Sequence, residues 1–391
     1  MLHGLRVVEF ASMVAAPAAA GMMADWGADV IKIEPHEGDR MRARPGSPLG
    51  SANYDLHNRG KRSIALDTSA PDTREIILRL VRDADIFITN VLPERLKKLA
   101  LDYDSLHAIN PRMVYGSVSS FGRAGPDADR GASDNLGFWA RGGGTGLLTV
   151  EGSDPLPIRQ AVGDRVTGMC ACIGMLAALL DARQTGVGRW IDTALMGAGM
   201  WAFATDFSNL LNLGRAVPSR DRHNAVMPLA NYFRTRDGRW VQLQAELPEV
   251  AAAIDRRDIA ADPRFAEPRL PREVRAALVD AIDQAIGALD YADLAGRLNA
   301  GGVKFEPVQA LADVVADPQV AATHRIVEAK REGAPFRQVA SPCIEMRDGL
   351  PVPHHYDSPP RLNEHAEPIL AELGFHAEEI ERMRANGTLP A

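Results

Sequence analysis

One aspartate, Asp164, stands where an extended segment gives way to a long apolar run. The run Val166–Leu180 predicts a helix, so Asp164 falls in its first turn. Unpaired backbone N–H groups and the positive end of the helix dipole keep a carboxylate ionised there. Such a carboxylate could be a nucleophile, and it could equally be an ordinary cap, because Asp is among the preferred N-cap residues. The segment Ile158–Gly168 alone leaves both interpretations open.

The first part of the chain reads as alternating short strands and helices. Leu5–Phe10, Ala15–Gly27 and Gly27–Glu34 predict a strand, a helix and a second strand, which is a βαβ unit. Three further apolar segments predict more strands of the same kind: Ser63–Asp67, Ala84–Asn90 and Arg112–Val118. This repetition predicts an α/β fold with a doubly wound, Rossmann-like parallel sheet. Ligands of such folds bind outside the carboxyl ends of the strands.

A second, smaller domain is predicted between two linkers. The Asp237–Gly238 pair between two alternating segments predicts a β-hairpin, and helical segments follow it, so this domain is α+β. The long apolar segment Ala194–Leu213 before it predicts one helix, and Gly142–Pro157 predicts a loop. We divide the chain into the first part of a large ligand-binding domain over 1–213, a linker over 214–229, the small domain over 230–317, a linker over 318–339 and a C-terminal part over 340–391 that completes the large domain.

The composition excludes several classes of protein. The 391 residues have a formal charge of −7 and no basic block, which argues against nucleic-acid binding. The first βα turn lacks the G-x-G-x-x-G spacing of a dinucleotide site. Cys170 and Cys172 diverge around the predicted helix, so neither a disulfide nor a metal site is expected. The apolar runs are too short to span a membrane and we recognise no signal peptide, so we expect a cytoplasmic protein. We also expect no tightly bound cofactor.

Eight segments in the same order resemble the class III CoA-transferase family, which includes the formyl-CoA transferase and carnitine CoA-transferase types and the α-methylacyl-CoA racemases. Each segment is common alone, and the ordered set is specific. The segments are Leu5–Phe10, Gly27–Glu34, Gly60–Asp67, Ala84–Asn90, Asn110–Tyr115, Gly163–Asp164 with its helix, Thr185–Gly188 and Ala316–Gln319.

The resemblance implies a CoA-transferase that moves CoA from an acyl-CoA to a carboxylic acid, and an interlocked homodimer of subunits threaded through one another. It implies that Asp164 attacks the thioester, giving an aspartyl anhydride and then an aspartyl-CoA thioester. CoA and acyl-CoA would be substrates rather than bound cofactors. A carboxylate is a weak nucleophile, so the site must keep it ionised, stabilise the oxyanion and exclude water.

The resemblance also implies roles for individual positions. Met13, Val14 and Ala15 match the loop along the thiol end of CoA. Leu66, Asn90 and Val91 match positions around the adenine and ribose, and Lys98 matches a basic residue at the phosphates. Two positions depart from the family pattern: Pro35 stands where some members have Arg, and Gly131 where some have Lys. We therefore expect phosphate contacts from Arg40, Arg42 or Lys61. The glycine loop of the formyl-CoA branch has no counterpart around Asn224–Tyr232, which argues against an oxalate-type substrate.

The racemase branch pairs the aspartate with a histidine in a Gly-His-Asp-like run. Here the run is Ala132–Asn135, and Ser133 stands at the histidine position. Serine has no useful basicity near neutral pH for removing an α-proton, so CoA transfer is favoured over racemisation. Ser133 and Asp134 are possible supporting residues, although Asp134 could also be a buried or capping residue. A related CoA-ester isomerase and a non-catalytic CoA-binding protein are the alternatives.

Overall fold

The computed structural model describes residues 1–42, 52–159, 161–267, 269–329, 336–340 and 357–390. Within them the chain forms two compact units. Unit 1 comprises Met1–Gly146, Leu156–Ala216 and Thr323–Ala391, and unit 2 comprises Leu147–Pro155 and Val217–Ala322. The segment Leu147–Pro155 therefore clusters with unit 2, whereas the sequence placed it in the large domain. Residues 341–356 and 391 of the predicted C-terminal part lie outside the described residues.

Unit 1 is built on a six-stranded sheet in which every neighbouring pair is parallel. The strand order is β3-β2-β1-β4-β5-β6, so the chain reverses direction across the sheet between β1 and β4. This confirms the predicted α/β fold class. Crevices at such a reversal are the usual ligand sites of doubly wound sheets. The strands are β1 Arg6–Phe10, β2 Asp29–Glu34, β3 Arg62–Ala65, β4 Ile86–Thr89, β5 Val114–Ser119 and β6 Trp190–Ala194.

Helices cover both faces of this sheet. The helices of this part of the chain are α1 Ala15–Asp25, α2 Ala52–Asn58, α3 Pro71–Arg82, α4 Pro93–Leu99, α5 Tyr103–His107, α6 Gly144–Leu148, α7 Val162–Thr185, α8 Leu195–Ala202 and α9 Ala204–Leu213, with a π-helix over Asn135–Arg141. One apolar cluster lies between the sheet and α3, and a second lies between the sheet and α1 and α7. The predicted single helix Ala194–Leu213 is divided at Phe203, whose backbone leaves the helical region.

Helix α7 is the central helix of unit 1. It is long and apolar enough to cross a membrane by length and composition alone. One of its faces packs on α1, β5 and β6, however, and Ala171, Met175 and Leu179 are buried there. These contacts identify α7 as a core helix, and they fix its first turn beside the ends of the central strands.

Unit 2 has its own apolar core. An antiparallel sheet in the order β7-β8-β9 carries the predicted Asp237–Gly238 hairpin. Its elements are β7 Tyr232–Arg234, β8 Trp240–Leu243, α10 Leu247–Ala253, α11 Arg257–Ala261, α12 Arg272–Ile286, α13 Tyr291–Ala300, β9 Phe305–Pro307, α14 Leu311–Ala316 and α15 Pro318–Ala322, with 3₁₀ turns at Arg222–Asn224 and Pro263–Phe265.

The chain then returns to unit 1. An antiparallel pair is formed by β10 Ile326–Ala329 and β11 Phe336–Val339. The last elements are α16 Ala366–Glu372 and α17 Ala377–Ala385. Ile369, Leu370 and Met383 of these helices are buried in the same apolar cluster as α3, so the C-terminal helices complete one face of the sheet.

Candidate active site

Asp164 lies in the first turn of α7 and lines a cavity of about 440 Å³. It is the third helical residue, because the helix begins at Val162 after Ala161, which has a left-handed φ of 68°. The Asp164 carboxylate is half-buried, and among the described residues it accepts no hydrogen bond. The cavity wall includes Met13, Val14, Ala15, Arg40, Asn53, Ser119, Ser120, Arg123, Arg130, Gly131, Ser133, Asp134 and Asn135.

The cap of α7 comes from Asp134, at the start of the π-helix. Its Oδ1 accepts the backbone N–H of Asp164 at 3.0 Å. Asp134 is buried, so this orphan donor of the helix end is satisfied by a side chain from another element. The ordinary-cap interpretation of Asp164 is therefore disfavoured, because a different carboxylate occupies the cap.

The charge of Asp134 also affects the pKa of Asp164. Burial and, to a smaller extent, the negative charge of Asp134 raise the pKa of Asp164 to about 6, and Arg165 opposes the shift. Burial also raises the pKa of Asp134, against the backbone hydrogen bonds that favour its charged form. At neutral pH Asp164 is thus ionised but poorly solvated. A carboxylate in that state is more reactive than one in water.

The glycine of the Gly163–Asp164 pair is required by packing. A Cβ atom at Gly163 would lie 2.2 Å from Cγ of Phe138 and 2.3 Å from Oδ1 of Asp134. Both distances are far below any real contact. Only glycine lets Phe138 and Asp134 pack directly on this backbone, and that packing fixes the first turn of α7.

The opposite side of the cavity is the first βα loop, at the point where the sheet reverses. Met13, Val14 and Ala15 line the cavity, as the resemblance implied. Met13 has a left-handed φ of 73°. Helix α1 begins at Ala15 with no side-chain cap and no acidic residue in its first turn. Its unpaired N–H groups therefore provide a site for developing negative charge.

The resemblance also assigned Asn90, Leu66, Val91 and Lys98, and only Asn90 of these lines the Asp164 cavity. Asn90 lines the cavity, but its side chain exchanges two hydrogen bonds with the backbone of Ser12, at 3.1 and 2.7 Å. Leu66 is fully buried, and Val91 packs against the apolar core. Lys98 is exposed on α4. The structure does not bring Leu66, Val91 or Lys98 to the Asp164 cavity.

Two of the three predicted phosphate-binding cations are engaged elsewhere. Arg42 donates to both carboxylate oxygens of Glu34, and its guanidinium lies over the ring of Tyr54. Lys61 is buried and donates to Glu9, Asn58 and the carbonyl of Pro17. Their positive groups are satisfied inside the fold, so neither is available to an anion in the cavity. This corrects the expectation for Arg42 and Lys61.

Arg40 does line the cavity, together with Arg123 and Arg130 from the loop after β5. Arg123 pairs with Asp192 at 3.1 Å, and Arg130 is largely exposed. The sequence reasoning missed these two arginines. Their position after a predicted strand could have indicated that they line the site, because the carboxyl ends of parallel strands meet at one edge of the sheet.

The fold and the cavity together define an α/β protein with a half-buried carboxylate in a cavity at the carboxyl edge of its sheet. The family model CoA-transferase family III matches residues 2–366. The chain therefore belongs to this family, and it is an enzyme that transfers CoA between CoA thioesters and carboxylic acids.

Similar proteins cover the same length. The chain is 34% identical to the succinate–glutarate CoA-transferase of Agrobacterium fabrum over 97% of this chain and 96% of that one. It is 28% identical to the (R)-2-hydroxy-4-methylpentanoate CoA-transferase of Clostridioides difficile, over 98% of both. A crystal structure of a CAIB/BAIF family protein from Brucella suis has a TM-score of 0.81 and 31% identity, covering 95% of this chain and 99% of that one.

Proposed function

We propose that this enzyme transfers CoA from an acyl-CoA to a carboxylic acid through covalent intermediates on Asp164. The observation that carries the proposal is the Asp164 carboxylate: it is half-buried, has a pKa of about 6, accepts no hydrogen bond among the described residues and lines a cavity beside the uncapped start of α1. A nucleophile and a set of oxyanion donors across one cavity are what acyl transfer requires.

The reaction balances without an oxidant or a net proton. An Asp164 oxygen attacks the thioester carbon, the C–S bond breaks, and CoA leaves as the thiolate. The thiolate then attacks the Asp164 carbonyl carbon of the mixed anhydride and releases the donor acid, which leaves an aspartyl-CoA thioester. The acceptor carboxylate attacks this thioester and regenerates anhydride and thiolate. Attack of the thiolate on the acceptor carbonyl gives the new acyl-CoA and free Asp164.

The test of this proposal is Asp164→Asn, which keeps the side-chain volume and removes the nucleophile. We expect label exchange between a ¹⁴C-labelled acid and its acyl-CoA to fall by at least 10³-fold, with acyl-CoA binding retained. Asp181→Asn, on the exposed far end of the same helix, is the matched control and should keep full exchange. Full exchange by Asp164→Asn would overturn the proposal.

The acid panel should include a branched 2-hydroxy acid and C4 and C5 dicarboxylates, the acids in the names of the two relatives. Deuterium uptake at the substrate α-carbon in heavy water, without an acid, would instead support an isomerase. Ser133, which also lines the cavity, has no useful basicity, and Asp134 accepts the backbone N–H of Asp164, so neither is proposed as a second base.

For the phosphates of CoA we propose Arg40 and Arg130, because Arg123 is already paired with Asp192 at 3.1 Å. Arg130→Gln is the cleanest variant, because this side chain is 63% exposed and its loss does not disturb the core. We expect the KM for acyl-CoA to rise about fivefold with kcat unchanged, which is the pattern for lost ground-state binding. The corresponding acyl-pantetheine, which lacks the diphosphate, should show no difference between the variant and the wild type. Arg256→Gln in unit 2 is the control.

A homodimer is the proposed assembly, because α7, α8 and α9 expose large apolar side chains. Ile173, Trp201 and Leu211 are 69, 73 and 82% exposed. Contiguous apolar surface of this kind on a soluble protein marks an interface. Sedimentation should give twice the chain mass, and Trp201→Glu should lower it. If the subunits are interlocked, tagged and untagged dimers mixed under native conditions should not exchange.

A further inference from the structure

Side chains from several elements hydrogen-bond to the backbone of residues 11–17, which are the first βα loop and the first residues of α1. Lys32 Nζ donates to the Ala11 carbonyl at 3.0 Å, and Asp39 Oδ1 accepts the Met13 N–H at 3.2 Å. Lys61 Nζ donates to the Pro17 carbonyl at 2.9 Å. With the two hydrogen bonds between the Asn90 side chain and the Ser12 backbone, side chains engage backbone atoms from one end of this segment to the other.

Three of these side chains belong to one buried chain of charges centred on Glu9, which we call the Glu9 charge chain (Glu9, Lys32, Asp39 and Lys61). Glu9 Oε1 lies 2.7 Å from Lys32 Nζ, and Oε2 lies 2.6 Å from Lys61 Nζ. Lys32 Nζ also lies 3.0 Å from Asp39 Oδ2. All four residues are at most 4% exposed, and two positive and two negative groups balance one another.

This arrangement is not explained by stability alone. Burying ion pairs is often no better for folding than filling the same space with apolar side chains, because desolvation offsets the attraction. Burial opposes the charged form of Lys32, yet the carboxylates of Glu9 and Asp39 raise its pKa above the ordinary value, so it remains charged. The charged groups of Lys32, Asp39 and Lys61 instead each form a hydrogen bond with a backbone atom of this segment. Met13 in the loop has a φ of 73°, which residues other than glycine adopt at a cost in free energy.

We infer that the Glu9 charge chain positions the first βα loop for catalysis, and that Asp39 is the positioning residue that sets Met13. The inference rests on the proposed function, since Met13, Val14 and Ala15 line the cavity of Asp164. Asp39 is buried behind the loop and acts through it. When a catalytic group is displaced by about 1 Å, the rate can fall by about 10²-fold. A loop without its Asp39 contact should lose turnover before it loses acyl-CoA binding.

The experiment compares three variants of the full-length protein, each assayed well below its own Tm. Asp39→Ala removes the acceptor of the Met13 N–H and the partner of Lys32. Asp39→Asn keeps an acceptor oxygen and removes only the charge. Asp25→Asn is the matched control, because Asp25 pairs with buried Arg59 at 2.7 Å and lies at the last residue of α1, about 15 Å from its start.

We expect kcat of Asp39→Ala to fall at least tenfold while the KM for acyl-CoA changes less than threefold, and Asp39→Asn to recover part of the loss. Asp25→Asn should lower Tm by a comparable amount and keep kcat within twofold. The inference is overturned if Asp39→Ala keeps kcat within twofold of Asp25→Asn, or if all three variants lose kcat in proportion to Tm.

The wild-type rate separates this inference from the proposed function. If the wild type transfers CoA between no donor and acid in the panel, the proposed function fails. Positioning of the loop is then decided by amide hydrogen exchange of a peptide that contains Met13. Faster exchange in Asp39→Ala than in Asp25→Asn supports the inference, and equal exchange overturns it.

Discussion

The Oδ1 atom of Asp134 accepts the backbone N–H of Asp164 at 3.0 Å, so two carboxylates share the start of one helix. Asp134 accepts this N–H group at the helix end, whereas the Asp164 carboxylate accepts no hydrogen bond among the described residues. The helix end is therefore capped without the help of Asp164. This division leaves Asp164 as the carboxylate available for reaction.

The first prediction concerns the pH dependence of transfer. Burial and the charge of Asp134 raise the pKa of Asp164 to about 6, and only the ionised carboxylate attacks a thioester. We expect kcat/KM to fall below about pH 6, with unit slope in a logarithmic plot against pH. With the monocarboxylic 2-hydroxy acid of the panel as acceptor, the substrate is already ionised in this range, so the break belongs to the enzyme. A break near 3.8, the ordinary value for Asp, would contradict this assignment.

The second prediction concerns Asp134→Asn. This variant removes the negative charge that helps to raise the pKa of Asp164 and keeps an oxygen that can accept an N–H group. We expect the acidic break of kcat/KM to move to lower pH, because ionising Asp164 no longer meets a neighbouring charge. The Asp181→Asn control should leave the break in place. An unchanged break in Asp134→Asn would show that the two carboxylates are not coupled.

The third prediction concerns stability, measured on Asp164→Asn. The pKa of Asp164 is about 6 when folded and near 3.8 when unfolded, so ionising it costs the folded state free energy above about pH 6. Below about pH 3.8 the carboxyl is protonated in both states and the cost disappears. Asp164→Asn should therefore raise the free energy of unfolding by about 1–2 kcal/mol at pH 8.

The pH series is the control for that stability measurement. The difference between Asp164→Asn and the wild type should shrink as pH falls from 6 to 4. A difference that is the same at pH 4 and pH 8 would arise from packing and would contradict the electrostatic account.

The fourth prediction concerns Gly163→Ala. A methyl group there meets Phe138 and Asp134 at 2.2–2.3 Å, so the start of α7 must shift. We expect loss of at least 10²-fold in kcat/KM and destabilisation of about 1–3 kcal/mol from overpacking. Gly146→Ala is the matched control, since a Cβ at Gly146 has no neighbour within 4 Å. Equal effects of the two substitutions on chemical denaturation and on rate would contradict the packing argument.

Local sequence patterns predicted the sheet, the helix after Asp164 and the hairpin of unit 2, because each element carries its own apolar period or turn signal. They failed where tertiary contacts decide. The division of α8 and α9 at Phe203 has no Gly or Pro to mark it. The π-helix over Asn135–Arg141 likewise has no distinct local pattern.

The site was only partly predictable for the same reason. Asp164 was singled out by its position at the start of a predicted helix, whereas Met13, Val14 and Ala15 were assigned by the resemblance to the family. The roles of Arg42 and Lys61 did not follow, since a sequence gives a cation but not its partner, and here the partners are the buried carboxylates of Glu34 and Glu9. The hydrogen bond by which Asp134 caps α7 joins residues thirty positions apart in the chain, so a local sequence pattern could not predict it.

The most direct test of the central claim is mass spectrometry of enzyme mixed with acyl-CoA and trapped during turnover. The proposed chemistry predicts a CoA or acyl adduct on the peptide that contains Asp164, absent in Asp164→Asn and present in Asp181→Asn. Hydroxylamine or borohydride treatment should convert the activated carboxyl to a product of defined mass at that residue. Turnover with no modification at Asp164, or an adduct on another residue, would contradict the account.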